Sequence, residues 1–167
     1  MRREDTVSEK NLKIISGGQT GADRAALDVA IRKGFAHGGW IPKGRLTEAG
    51  PLPEKYKLQE TATESYSQRT EKNIQEADGT VILSHGILTG GSSLTEKLAQ
   101  KHGKPLLHLD LDQISLTDAA RRLHCWLAAN EIEVVNVAGT RASTDPEIYA
   151  ATVQVLELAL CIFKNKK

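Results

Sequence analysis

Two periodicities alternate along this chain. Short, mainly apolar runs at residues 12–16, 80–84, 105–109 and 132–137 have the length and composition of buried strands. Between them lie stretches with helical spacing, clearest where Leu116, Ala119, Leu123, Trp126 and Leu127 fall on one face. The pattern predicts a first strand at 12–16, a helix at 22–33 stopped by Gly34, and a short second strand at 35–40. A loop rich in proline and glycine follows to residue 53, with an edge strand at 57–61. A polar helix at 66–76 leads into the buried run at 80–84. Helices at 93–102, 115–130 and 146–163 separate the remaining strands. Strands alternating with helices imply βαβ units and a parallel sheet. The expected fold is therefore a single α/β, Rossmann-like, doubly wound domain over residues 11–163. Its mainly parallel sheet has five or six strands and helices on both faces. Sequential adjacency places the first strand in the centre, between the second strand and the strand beginning near Thr80.

In such sheets ligands bind beyond the carboxyl ends of strands, where connections diverge. Three loops meet that description: Gly17–Gly21, residues 85–92 and residues 138–145. Ser16-Gly17-Gly18-Gln19-Thr20-Gly21 joins a strand to a helix, the context in which a glycine-rich turn admits a phosphate to a helix start. No acidic residue follows about 20 positions later, where a dinucleotide site would hold a ribose. Lys43 and Arg45 lie there instead, with Trp40 as a flat surface for a heterocycle. Thr89-Gly90-Gly91-Ser92-Ser93 makes a second glycine loop of the same kind, and Gly139 and Arg141 lie at a third strand end. Arg69 and Asn73 share a helical face. Thr20 with Asp23, and Ser93 with Glu96, have the spacing of capping boxes, so either acid is a cap or a site residue. His37, His85 and His108 lie near strand ends and lack metal-ligand spacing, and no protein-ligated metal is expected.

Composition narrows the partners. The 167 residues carry 22 basic and 21 acidic side chains, a formal net charge of +1, without the basic excess of a nucleic-acid binder. No apolar run approaches the ~20 residues of a membrane span. The charged residues 1–10 read as a mobile tail rather than a signal peptide, and residues 164–167 as a frayed end. Cys125 and Cys161, in apolar helical surroundings, read as two buried free thiols, consistent with a reducing cytoplasm.

The motifs also carry a resemblance. Ser16-Gly-Gly-Gln-Thr-Gly-Ala-Asp-Arg24, Gly38-Gly-Trp-Ile-Pro-Lys-Gly-Arg45 and Gly50-Pro-Leu-Pro53 are similar, in order, to the molybdenum carrier family. So are Arg69-Thr70 with Asn73, Ser84-His-Gly, Leu88-Thr-Gly-Gly91, His108-Leu-Asp110 and Asn136-Val-Ala-Gly-x-Arg141. The resemblance spans about residues 12–155. It implies a Rossmann-like homo-oligomer, a dimer or tetramer, that holds the molybdenum cofactor (molybdopterin) without transforming it. That ligand is a flat pterin with a terminal phosphate, and its metal sits on its own dithiolene. More distantly, Arg69, Ala77-Asp78 and the segment Thr89–Glu96 resemble the lysine decarboxylase-like proteins, including the Lonely-guy phosphoribohydrolases. That likeness implies Arg69 and Glu96 as catalytic residues in cleaving nucleoside monophosphates. Thr89, Ser92 and Ser93 depart from its glycine signature. The sequence thus leaves three readings: a carrier of a small phosphorylated ligand, an N-glycosidic hydrolase, and a regulatory nucleotide-sensing domain. His85 and Gln19 join the expected ligand-contacting set.

Overall fold

The computed structural model describes residues 11–164, with side chains to residue 161. The tail expected at 1–10 lies outside the described residues, as do 165–167 of the frayed end expected at 164–167; residue 164 of that end closes the last helix. In chain order the elements are β1 (Lys13–Ile15), α1 (Ala22–Lys33), β2 (Ala36–Gly38), β3 (Trp40–Ile41), β4 (Leu46–Thr47), β5 (Gly50–Pro51), β6 (Gln59–Glu60), α2 (Tyr66–Glu76), β7 (Gly79–Ser84), α3 (Gly90–Lys101), β8 (Leu106–Asp110), α4 (Leu116–Ala129), β9 (Val134–Gly139) and α5 (Ile148–Lys164). The architecture is α/β and doubly wound: a five-stranded parallel sheet with α5 between α1 and α4, and with α2 packed on α3.

The strand order corrects the sequence expectation. It runs β2-β1-β9-β7-β8, so the last strand, not the first, is central. β1 pairs with β2 and β9, and β9 separates it from β7. Side-chain detail explains the insertion. Asp78, at the start of β7, accepts hydrogen bonds from the N–H groups of Glu133 and Val134 at 3.0 and 2.8 Å. Its own N–H donates to the Val134 carbonyl at 2.8 Å. Gly139 then passes so close to β7 that a Cβ would lie 2.3 Å from the Leu83 carbonyl oxygen. If β9 and α5 are counted ahead of β1, the order becomes 3-2-1-4-5, that of a Rossmann sheet. The switch point lies between β9 and β7.

Local chemistry sets the flanking elements. α1 presents Ala22, Ala25, Ala26, Val29 and Ala30 to the core, small residues that let the helix lie close to the sheet. It ends at Gly34, whose left-handed φ of 76° lets its N–H cap the Ala30 and Ile31 carbonyls. Ser65 and Ser115 cap α2 and α4 through Gln68 and Asp118. The main core gathers β7, β9, α1, α4 and α5; a smaller cluster of Leu27, Ile41, Leu52, Tyr56 and Leu58 sits under the excursion between β2 and α2. In that excursion the expected second strand breaks at Gly39 into β2 and β3. A Cβ at Gly39 would lie 2.2 Å from the Ser16 carbonyl oxygen. The expected edge strand is the two-residue β6, paired with β3 and not with the main sheet. Both cysteines are exposed, which corrects the expectation of buried thiols. Among the described residues no helix is long and apolar enough to cross a membrane.

Candidate functional site

A cleft of about 430 Å³ opens over the carboxyl ends of β9 and β7, at the switch point. Its lining draws on all three loops named from the sequence. Gly17, Gln19, Asp23, Arg69, Asn73, Thr89, Gly90, Gly91, Ser92, Gly139 and Arg141 are brought together there. The sequence reading missed Thr70, Thr95, Asn136, Ala138, Thr140, Ser143 and Thr144. Asn136 and Ala138 carry a legible signal, since alternate residues at a strand end face the same side.

The two glycine loops do different work. At the first, the helix start is already occupied. The Ala22 N–H donates to the Thr140 carbonyl at 3.2 Å, and the Gln19 N–H to Asp23 Oδ2 at 3.2 Å. Gly21, at φ 82°, packs against the Thr140 carbonyl, where a Cβ would lie 2.3 Å away. Gly18, Thr20 and Gly21 therefore shape the turn without lining the cleft. At the second, α3 starts at Gly90, with Thr89 as N-cap, and Ser93 sits inside the helix. The expected Ser93–Glu96 capping box does not form. The Thr89 carbonyl takes the N–H groups of Ser92 and Ser93, and a Cβ on Gly90 or Gly91 would meet no atom within 4 Å. Those glycines border open cleft at the positive end of a helix.

Asp23 and Arg69 form the floor. Asp23 does not cap α1 through Thr20, since the cap position is Gly21. Burial pushes its carboxyl up to about 6, with the Arg69 guanidinium the strongest opposing influence. Arg69 Nη1 donates to the Gly17 carbonyl and lies 3.9 Å from Asp23 Oδ2. Burial pulls the guanidinium below its ordinary value, and Asp23 opposes that. Gly17 is a glycine because of this approach: a Cβ would sit 2.3 Å from Arg69 Nη1. The Arg69 and Arg141 guanidinium carbons lie 5.2 and 5.6 Å from the centre of the Tyr66 ring, so one exposed aromatic supports both cations. Gln19 is 4% exposed; its Oε1 accepts from the Thr20 and Glu48 N–H groups, and its Nε2 is buried without a partner among the described residues.

Glu48, not anticipated from the sequence, ties the rim together. Its carboxylate accepts from the Thr20 and Ser143 hydroxyls and the Ser143 N–H, and lies 3.7 Å from Arg141. The Ser143 and Thr20 hydroxyls hold its carboxyl below the usual range.

Other expected residues lie elsewhere. Trp40 packs on the flank of α2, its Nε1–H bonded to Glu76 Oε2 at 2.6 Å and Lys72 Nζ 4.2 Å from its ring centre. Asn73 pairs with the Trp40 backbone, accepting its N–H at 2.8 Å and donating to its carbonyl at 3.0 Å. Arg45, at φ 56°, donates to the carbonyls of Leu52, Pro53 and Tyr56, so its guanidinium folds its own loop. Lys43 is exposed outside the cleft lining. His85 Nδ1 lies 2.6 Å from Asp145 Oδ2, linking two loops beside the cleft. His108 Nε2 lies 2.7 Å from Ser84 Oγ, and His37 Nε2 accepts the Lys57 N–H. Glu96 is half-buried on α3 and is not among the lining residues.

Fold and cleft define a Rossmann-like α/β domain whose polar switch-point site is built around a helix start and two arginines. The chain belongs to the circularly permutated YpsA SLOG family, which matches residues 14–160. The permutation accords with the 3-2-1-4-5 order recovered by moving β9 and α5 ahead of β1. The chain is also similar to a solved structure, the putative molybdenum carrier protein of Syntrophus aciditrophicus SB. The two are 58% identical over 90% of this chain and 96% of that one, with a TM-score of 0.89. No curated protein sequence matches.

Proposed function

We propose that this protein is a carrier-like binding protein that holds a small phosphorylated ligand, pterin- or nucleotide-like, in the switch-point cleft. One observation carries the reading: the open start of α3 at Gly90 and Gly91 and the guanidiniums of Arg69 and Arg141 converge on one cleft. Two cations and a helix start face one lining carboxylate, Asp23, which favours a ligand bearing a phosphate dianion. The name of the Syntrophus relative makes the molybdenum cofactor the leading cargo. Its terminal phosphate suits the α3 start. The cofactor brings its metal on its own sulfurs, so the cleft has only to bind phosphate and ring. The hydrolase reading needs Glu96 at the ligand, and Glu96 does not line the cleft. Carriage is therefore the preferred function.

Native mass spectrometry of protein purified from its own host tests the proposal. A co-purifying phosphorylated small molecule, lost on Arg69→Ala and Arg141→Ala substitution, is the expected result. A protein that emerges empty, and that binds neither ribose 5-phosphate nor inorganic phosphate in titration calorimetry, would sink it.

A further inference from the structure

The cleft floor sets a buried donor without a partner, Gln19 Nε2, beside a mostly buried carboxyl, that of Asp23. Gln19 Oε1 is fixed by the N–H groups of Thr20 and Glu48, at 3.1 and 2.9 Å, which sets the orientation of the amide. Its Nε2 is then a buried donor without an acceptor among the described residues. Four residues on, Asp23 is 8% exposed. Its Oδ2 takes the Gln19 N–H at 3.2 Å and faces Arg69 Nη1 at 3.9 Å, too long for a hydrogen bond. A carboxylate offers about four acceptor sites, and a buried one left short of donors carries a desolvation penalty. The unsatisfied Gln19 Nε2 in this cleft calls for a ligand that completes it.

Resting on the carrier reading above, we infer that Gln19 and Asp23 read the 2-amino-4-oxopyrimidine edge shared by guanine and pterins. That edge presents one carbonyl acceptor followed by a ring N–H and an amino group, both donors. Gln19 Nε2 donates to the carbonyl, and Asp23 accepts from the two donors. Adenine offers a single donor beside its ring acceptor, and uracil one donor between two acceptors, so neither satisfies both sides of the pair. The phosphate end of the same ligand lies at the start of α3. The floor side chains thus select the ring, and the helix start selects the anion.

Titration calorimetry on the full chain tests this with GMP, AMP, neopterin monophosphate, ribose 5-phosphate, and unphosphorylated guanosine and neopterin. The expected result is that GMP or neopterin monophosphate binds at least tenfold tighter than AMP and ribose 5-phosphate. Asp23→Asn, and separately Gln19→Glu, which keeps the Oε1 acceptor and removes the donor, should bring the GMP-to-AMP ratio near one. Tighter GMP assigns the edge to a guanine nucleotide, and tighter neopterin monophosphate to a free pterin. Equal binding of all four phosphorylated probes to the wild type would overturn the ring assignment and leave the phosphate reading standing. Binding of guanosine and neopterin as tight as that of their phosphates would do the reverse. Failure of every probe would overturn both.

Discussion

The Gln19 N–H donates to Asp23 Oδ2 at 3.2 Å, within a glycine loop whose sequence suggests a phosphate cradle. The bond turns that loop into a support for a buried carboxyl. In the proposed function the anion is received by the second glycine loop, at α3. Residues that look alike in sequence thus divide into a closed floor and an open helix start.

The buried Asp23 makes stability depend on pH. Its folded value, about 6, lies above its ordinary 3.8. The folded state therefore holds the proton more tightly than the unfolded chain, and this group's contribution falls as pH rises from about 4 to about 6. The shift corresponds to up to about 3 kcal/mol at pH 8. Asp23→Asn should be more stable than wild type by up to that amount at pH 8, with the difference shrinking toward zero at pH 4. Urea denaturation across this range checks it; a difference independent of pH would contradict the assignment.

Two glycine substitutions should separate folding from binding. Gly91→Ala places a methyl in open space at a helix start, where alanine gains about 0.5–1 kcal/mol over glycine. Its melting temperature should hold or rise, while ribose 5-phosphate affinity falls by about tenfold, or 1.4 kcal/mol. Gly17→Ala forces the Arg69 guanidinium off the Gly17 carbonyl and away from Asp23. It should cost about 2–3 kcal/mol in thermal or urea melts, as losing a buried hydrogen bond from a charged donor does.

Asn73 and Trp40 form a side-chain-to-backbone pair that docks β3 on α2. Asn73→Ala leaves the Trp40 N–H and carbonyl unpaired and should cost about 2–3 kcal/mol. Amide exchange at Trp40 and along the β3–β6 pair should speed up before exchange in β7 does. Uniform acceleration would show that the pair holds the whole domain rather than this excursion.

Arg45→Ala should lower the melting temperature, because the Leu52, Pro53 and Tyr56 carbonyls lose a shared cationic donor. A loss of about 2–3 kcal/mol is expected for charge-assisted bonds of this kind. Lys43→Glu should leave both stability and ribose 5-phosphate affinity within about 0.5 kcal/mol of wild type, as for an exposed side chain away from a site. A strong binding defect in Lys43→Glu with normal melting would restore the basic-loop assignment.

Glu48 joins the β4–β5 hairpin to the loop after β1 through Thr20 and to the loop after β9 through Ser143. Its carboxyl is held below the usual value, so its contribution is present above the ordinary carboxylate range and lost as pH falls through its folded value. Glu48→Gln should speed limited proteolysis between residues 42 and 60 at pH 7, with wild type and variant converging under acid conditions.

The sequence by itself determined the element types, because local periodicity and capping residues specify them. α1 and α2 fall on the residues their spacing predicts, and Gly34 adopts the left-handed cap its position requires. It also singled out three loops that border the cleft, since strand ends are legible where apolar runs stop at glycines. Tertiary structure decided what local pattern does not encode. The central position of β9 depends on Asp78 and Gly139 meeting segments more than 50 residues away in the chain. Whether a cation borders the cleft or ties its own loop depends on which carbonyls lie within reach: Arg45 finds four between residues 52 and 58, whereas Arg69 finds the Gly17 carbonyl beside the cleft. For the same reason Trp40 packs on α2 away from the cleft lining, and Tyr66 lies against Arg69 and Arg141. Burial at the switch point, a product of the whole sheet, leaves Gln19 Nε2 without a partner and raises the Asp23 carboxyl, and no sequence spacing reveals either.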